Sequence, residues 1–294
     1  MKNVLLTLSL ILGLTSSKAQ EVTKVGGFNY PESVASDATF LYVADIGAKM
    51  KPTDKDGDGK IIRLDKAGKV VDNNFFKEIL NAPKGLAIDG DILFVADVDR
   101  IVAFDIKTGK KLYEVDFVPQ TSFLNDIAVW DKTTLYVSAT DKSKLFKVNL
   151  TNKTFEEVLT DVAIDGINGL YADKGASRLY VNGFGTNNQV NGTIGYINLK
   201  DNKFTQLIQL EGLYDGITIY QDVLYFTNWI APEKKGILVS VDLLNNHKMT
   251  VMKLPEFIGG PADLTVSRDN LVIPAMLEGT LYFVNIKKEL MYIN

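Results

Sequence analysis

The chain has no cysteine and a single histidine among its 294 residues. The first absence excludes disulfides, thiolate nucleophiles and thiolate metal sites, so the fold must rest on its core alone. The second leaves no ligand set for a typical zinc site. After the first residues nothing approaches the ~18 uninterrupted apolar residues that a transmembrane helix needs. Long runs of Lys or Arg are missing too, and the formal net charge is −4. That balance argues against nucleic acid and anionic membranes as partners, and for small molecules or cations.

What is present begins with Met1, Lys2 and Asn3, an apolar stretch over 4–14, and then Ser16, Ser17, Lys18 and Ala19. This reads as a signal peptide over 1–19, cut near Ala19, and predicts an exported protein, periplasmic or extracellular, with no transmembrane segment. Residues 20–294 suffice for one large all-β domain or two ordinary ones.

Six segments of this remainder start on a similar phrase: Pro31-Glu32-Ser33-Val34, Pro83-Lys84-Gly85-Leu86, Leu124-Asn125-Asp126-Ile127, Ile167-Asn168-Gly169-Leu170, Tyr214-Asp215-Gly216-Ile217 and Ala262-Asp263-Leu264-Thr265. Their second places are 41 to 52 residues apart, a period that signals stacked or radial repeats. Within each repeat, runs of Val, Ile, Leu, Tyr and Phe alternate with Asp, Asn, Gly or Lys turns, which is the strand signal, and helical periodicity is nearly absent. The second repeat is the most compact, with strands expected over 85–88, 92–96, 100–105 and 110–115. Its linkers are too short for parallel crossovers, so the four strands must be antiparallel.

Six such units are what a six-bladed β-propeller requires, with blades starting near 31, 83, 124, 167, 214 and 262. Two separate sandwiches would leave the sixfold recurrence of one register unexplained. The last repeat shows only three clear strands, and its fourth is expected from 21–28 or from the tail over 289–293.

In a propeller the first strand of each blade lines the central channel. The second place of the phrase therefore predicts a ring at the channel mouth: Glu32, Lys84, Asn125, Asn168, Asp215 and Asp263. The ends of the second strands return to the same face and bring Asp45, Asp97, Asn182 and Asn228 near it. Loops over 46–59, 183–192 and 229–235, read as the longest in the chain, would cover this face. Such a set of oxygens suits a hard cation, above all calcium. The plainer reading is that Asn and Asp merely start strands from turns, but a shared register favours a site.

The motifs resemble the senescence-marker-protein, gluconolactonase and luciferin-regenerating-enzyme (regucalcin-like) family across nearly the whole mature chain. Pro31-Glu32-Ser33 is similar to its Pro-Glu-Gly motif, with Ser33 departing from the glycine. Leu124-Asn125-Asp126, Asn168-Gly169-Leu170 and Asp215-Gly216-Ile217 are similar to its Asn-Asp, Asn-Gly and Asp-Gly motifs. The resemblance implies a propeller with one divalent cation in its channel, held by Glu32, Asn168 and Asp215 with Asn125 beside it. Paraoxonase-like lactonases share that arrangement but add a histidine pair. The only histidine here, His247, sits in Asn245-Asn246-His247-Lys248, which reads as an exposed turn.

The expected chemistry is then the opening of a lactone or related cyclic ester by a metal-activated water. Asp215 is the expected base and Asn125 the group that orients the substrate, with Lys84 and Asn228 as further substrate contacts. Lys84 reads equally as a buried ion-pair partner of Glu32 or Asp263. The rival from another class is a non-catalytic propeller that binds a small ligand, cation or protein. A possible second cation site is the three-aspartate clip Asp54, Asp56 and Asp58, since with a strand over 61–64 Asp65 lies ~20 Å beyond Gly59, too far to close a full calcium loop. Tyr42, Tyr136, Tyr180 and Tyr225 recur on second strands as blade packing, whereas Phe184, Trp229 and Met276 are expected to line the mouth.

Overall fold

A computed structural model describes residues 19–187 and 189–287. The expected leader, Ala19 apart, and the 289–293 candidate for the closing strand lie outside these residues. The fold is a six-bladed β-propeller of six four-stranded antiparallel sheets, and its only helical elements among the described residues are two 3₁₀ turns, Thr140–Lys142 and Met276–Glu278.

Burial explains why these runs form blades. Second strands such as Phe40–Asp45, Ile92–Asp97 and Val223–Asn228 are apolar on both faces because each blade is covered on both sides by its neighbours. Fourth strands such as Lys111–Asp116 and Lys248–Val251 lie at the perimeter and are mostly exposed. Between consecutive blades lies one apolar core. Phe94, Phe117, Leu124 and Phe146 join blades 2 and 3, while Val34, Val43, Leu281 and Phe283 join blades 1 and 6. Tyr42, Tyr136, Tyr180 and Tyr225 are all buried in these packings, as expected.

The ring closes through the amino-terminal side. Val22–Gly26 pairs with Thr280–Asn285 as the fourth strand of blade 6. Each inner strand then carries an irregularity at its mouth. Pro31, Pro83, Leu124, Ile167 and Tyr214 pair with the last residue of the second strand, and the register slips by one before pairing resumes. A bulge of this kind re-aims the side chains within it.

In blade 6 the matching pair is Pro261 with Ala275, and regular pairing resumes at Thr265 with Val272. The sixth phrase is therefore Pro261-Ala262-Asp263-Leu264, one residue earlier than the sequence suggested. Asp263 occupies the third place, and Ala262 fills the second.

The loop prediction also needs correction. Loops 46–59 and 183–192 do sit on the mouth face, but the blade-to-blade connections over 73–82 and 252–264 exceed 229–235 in length. They are long because the chain must return from the perimeter to the channel.

Candidate functional site

The third place of the phrase forms a belt that ties blades together. Asp126 Oδ1 accepts the N–H of Ile127 at 2.7 Å, and its Oδ2 accepts that of Leu170, on the next blade, at 2.6 Å. Asp263 repeats the pattern: Oδ1 accepts the N–H of Leu264 at 2.7 Å, and Oδ2 accepts the hydroxyl of Ser33 at 2.7 Å. Ser33 Oγ in turn accepts the N–H of Leu86 at 3.3 Å. At Gly85 and Gly169 a Cβ would stand 2.3 Å from the Asn125 carbonyl oxygen and 2.2 Å from that of Asp215, so the blades meet there only because no side chain intervenes. The departure from glycine at Ser33 thus supplies an interblade link.

Second strands reinforce the belt one residue before their ends. Ser138 Oγ accepts the Asp126 N–H at 2.9 Å and donates to the Asn168 carbonyl at 2.6 Å. Thr227 does the same between the Gly216 N–H and the Ala262 carbonyl, at 2.8 and 3.1 Å. Asn182 bridges the Gly169 N–H and the Gly216 carbonyl, at 2.9 and 3.2 Å. Asp45, Asp97 and Asn228 stand one place later and cap incoming loops. Asn228 Oδ1 accepts the N–H groups of Leu213 and Ile230, so the carbonyl expected to meet substrate is engaged with backbone.

The second place behaves differently. Glu32, Asn125, Asn168 and Asp215 are each at most 5 % exposed, and Glu32 Oε2, Asn125 Oδ1, Asn168 Oδ1 and Asp215 Oδ1 have no hydrogen-bond partner. Nearly all buried polar atoms in folded proteins are paired, so four orphaned oxygens at one register call for a ligand. Only two other side-chain atoms among the described residues share that condition, Arg63 Nε and Ser267 Oγ.

The electrostatics point the same way. Burial, and then the Asp215 carboxylate, push Glu32 well above the usual carboxylate range. Burial and Asp263 push Asp215 up to about 8, against the lowering effect of a hydrogen bond from Trp229. Asp126 is driven well up by burial and Asp263, and burial raises Asp263 itself to about 6. This centre is short of positive charge.

Lys84 does not close the gap by an ion pair. Its Nζ donates to the carbonyls of Pro52 and Ala82, both at 2.9 Å, and rests 5.0 Å from the centre of the Phe123 ring. Among the described residues no carboxylate oxygen lies within ion-pair distance of it, so neither Glu32 nor Asp263 is its partner. Burial lowers Lys84 to about 8, opposed most by the Glu32 charge.

The donor set suits calcium, which accepts flexible all-oxygen coordination: two carboxylates and two amide carbonyls at one register each keep an unpaired oxygen. Among the described residues no three His, Cys, Asp or Glu side chains gather to hold an ion, so any cation in the ring depends on the asparagines. The Asp54, Asp56 and Asp58 clip is likewise not assembled. Asp54 Oδ2 pairs with Lys51 Nζ at 2.7 Å, and Asp58 Oδ2 accepts the Ala48 N–H at 2.9 Å.

An apolar cluster of Leu213, Trp229, Ala262 and Met276, flanked by Tyr30 and Phe184, packs beside Asp215. The sequence placed Phe184, Trp229 and Met276 at the mouth but missed that the Trp229 indole N–H donates to Asp215 Oδ2 at 3.0 Å. It also missed Asp126 as a buried interblade tie. The Asn-Asp pair at 125–126 was the available signal, since an aspartate at place three recurs at Asp263. Surface cavities of about 500 Å³ beside Lys234, Met252 and Phe257, and of about 380 Å³ beside Lys55, Asp99 and Arg100, include no ring residue. His247 is exposed in a left-handed turn with Asn246, as expected.

The sequence matches no family model and no curated protein. The fold is similar to a streptogramin B lyase, with TM-score 0.62 and 14 % identity over 92 % of this chain and 99 % of that one. It is similar also to a virginiamycin B lyase from Staphylococcus aureus, with TM-score 0.58 and 12 % identity over 90 % and 99 % of the two chains. A protein of unknown function from Bacteroides thetaiotaomicron aligns with TM-score 0.66 and 11 % identity, over 92 % of this chain and 73 % of that one. At these identities the likeness is one of fold, and it places this chain among the β-propellers.

Proposed function

We propose that the chain is a cation-dependent hydrolase of the gluconolactonase type, which binds calcium through Glu32, Asn168 and Asp215 with Asn125 beside them and opens a lactone or related cyclic ester. The observation that carries this reading is the set of four buried, unpartnered oxygens at one register of four different blades. When bound, the cation would act as a Lewis acid toward the ester carbonyl. Asp215 takes a proton from water as the water oxygen attacks the carbonyl carbon. The ring C–O bond then breaks, and the same proton passes to the departing alkoxide. Asn125 keeps its amide N–H groups for the substrate oxygen.

A lyase reading in the manner of the structural neighbours is less well supplied. A virginiamycin B lyase whose histidine-to-alanine variant is catalytically inactive is among those neighbours, whereas the one histidine here is exposed in a turn before the outer strand of blade 5. A second reading, a propeller whose cation is purely structural, is favoured by the burial of Glu32, Asn125, Asn168 and Asp215.

The discriminating experiment is a lactone panel assayed with calcium and with chelator, on wild type and Asp215→Asn. Calcium-dependent turnover lost in Asp215→Asn is expected. Absence of turnover on every lactone would leave the structural reading, and full activity in the variant would remove Asp215 from the chemistry.

A further inference from the structure

We infer that Trp229 is the positioning residue of the ring, fixing the Asp215 carboxylate so that one oxygen stays committed to the cation position; this rests on the calcium reading above. Asp215 is the only one of the four orphan-bearing residues whose second oxygen is held by a neighbouring aromatic side chain. The indole N–H donates to Oδ2 at 3.0 Å, and Oδ1 is left without a partner. A carboxylate held by one oxygen loses its freedom to rotate, so the other oxygen presents a fixed lone pair.

The indole itself is over-determined. Its backbone N–H donates to the Leu213 carbonyl at 3.0 Å, and Asn228 Oδ1 takes the N–H groups on either side of it in space, from Leu213 and Ile230. Phe184 meets its ring edge-on at 5.4 Å. Gly260 makes room, since a Cβ there would lie 2.9 Å from the indole. Blades 4, 5 and 6 therefore clamp one side chain whose only buried polar atom is aimed at the ring. The same clamp gives Asn228 a role: it sets Trp229 rather than touching substrate.

Trp229 also begins the segment 229–236, with Ile230 in a left-handed conformation at φ 62°. Calcium arriving at Asp215 changes the charge felt by the indole directly, so the tryptophan should report occupancy.

The chain has two tryptophans. Trp130 lies near the far end of its inner strand, Leu124–Asp131, away from the mouth. In Trp130→Phe the emission of Trp229 should shift on titration with calcium chloride and return with chelator. Trp229→Phe, which keeps the apolar filling but lacks the N–H, should bind calcium about 10- to 100-fold more weakly by calorimetry. The same change made in Asp215→Asn should cost little more. If calcium stabilises the wild type while Trp229 emission stays constant, or if Trp229→Phe binds calcium as wild type does, the inference is overturned and the ring reading survives. If calcium neither binds nor stabilises the wild type, both fall. Should Trp229→Phe not fold, the emission measurement decides alone.

Discussion

Places two and three of the repeated phrase are adjacent on the same strands and equally buried, yet their polar atoms fare oppositely. At place three, Asp126 and Asp263 have both oxygens engaged and Ser33 both donates and accepts. At place two, four residues each keep an oxygen unpaired, and the fifth polar member, Lys84, is satisfied by backbone carbonyls. A residue that exists to hold blades together finds its partners within the protein. One that exists to bind leaves capacity for something outside it. The contrast separates structure from site more sharply than residue type does, since aspartate occurs in both places.

The largest expected effect of breaking this contrast lies in the belt. Asp126→Ala strands the buried N–H groups of Ile127 and Leu170 on two different blades. An unsatisfied buried donor costs about 1–3 kcal/mol, so a loss of about 2–4 kcal/mol is expected in urea denaturation. The loss should be the same with calcium as with chelator, because the belt holds blades and not the ion. A loss confined to calcium-containing buffer would assign Asp126 to the site instead.

The propeller and most of this inner geography were legible in the sequence because two physical signals coincide. A period of about 45 residues demands repeated sheets, and short linkers demand antiparallel strands. The polar register stood out for the same reason. It failed at blade 6, where Asp263 looked like a member of the ring although it stands two places after Pro261 and regular pairing resumes at Thr265. A one-residue slip moves a side chain from binding to bridging, and only pairing with Ala275 fixes it. The bond from Trp229 to Asp215 was not legible at all. It joins a loop residue to a strand residue through an angle set by the bulge, and no spacing in the chain encodes that angle. Lys84 was misjudged for a related reason: its partners are the carbonyls of Pro52 and Ala82, and backbone acceptors leave no mark in composition.

A smaller effect sharpens the ring. In the cation-free protein Asp215 holds its proton up to about 8 and Asp263 up to about 6, whereas in the unfolded chain both lose it near the ordinary 3.8. Between these limits the folded state binds more protons than the unfolded one, so stability present at low pH is lost as pH rises from about 4 toward 8. Calcium needs the ionised carboxylates, so its stabilisation should grow across the same window. Melting temperatures with chelator should therefore fall from pH 5 to pH 8, while those with calcium stay flat or rise. Parallel curves would separate these carboxylates from any cation. Glu32→Gln should shrink the calcium-dependent gap without erasing the Asp215 part of the slope.

The smallest expected change in stability comes from Lys84, the ring member that is already satisfied. Lys84→Met removes a buried charge whose desolvation is costly, and with it two hydrogen bonds to the carbonyls of Pro52 and Ala82. These terms oppose each other, and a net change within about 1 kcal/mol is expected at neutral pH. The informative readout is calcium affinity. The Lys84 charge acts first on Glu32, so removing it leaves that carboxylate more exposed to a competing cation, and calcium should bind more tightly by calorimetry. A weaker affinity would mean that Lys84 helps to shape the cation position by holding the 46–59 loop down through Pro52. That outcome would move Lys84 from the satisfied members of the register to the working ones.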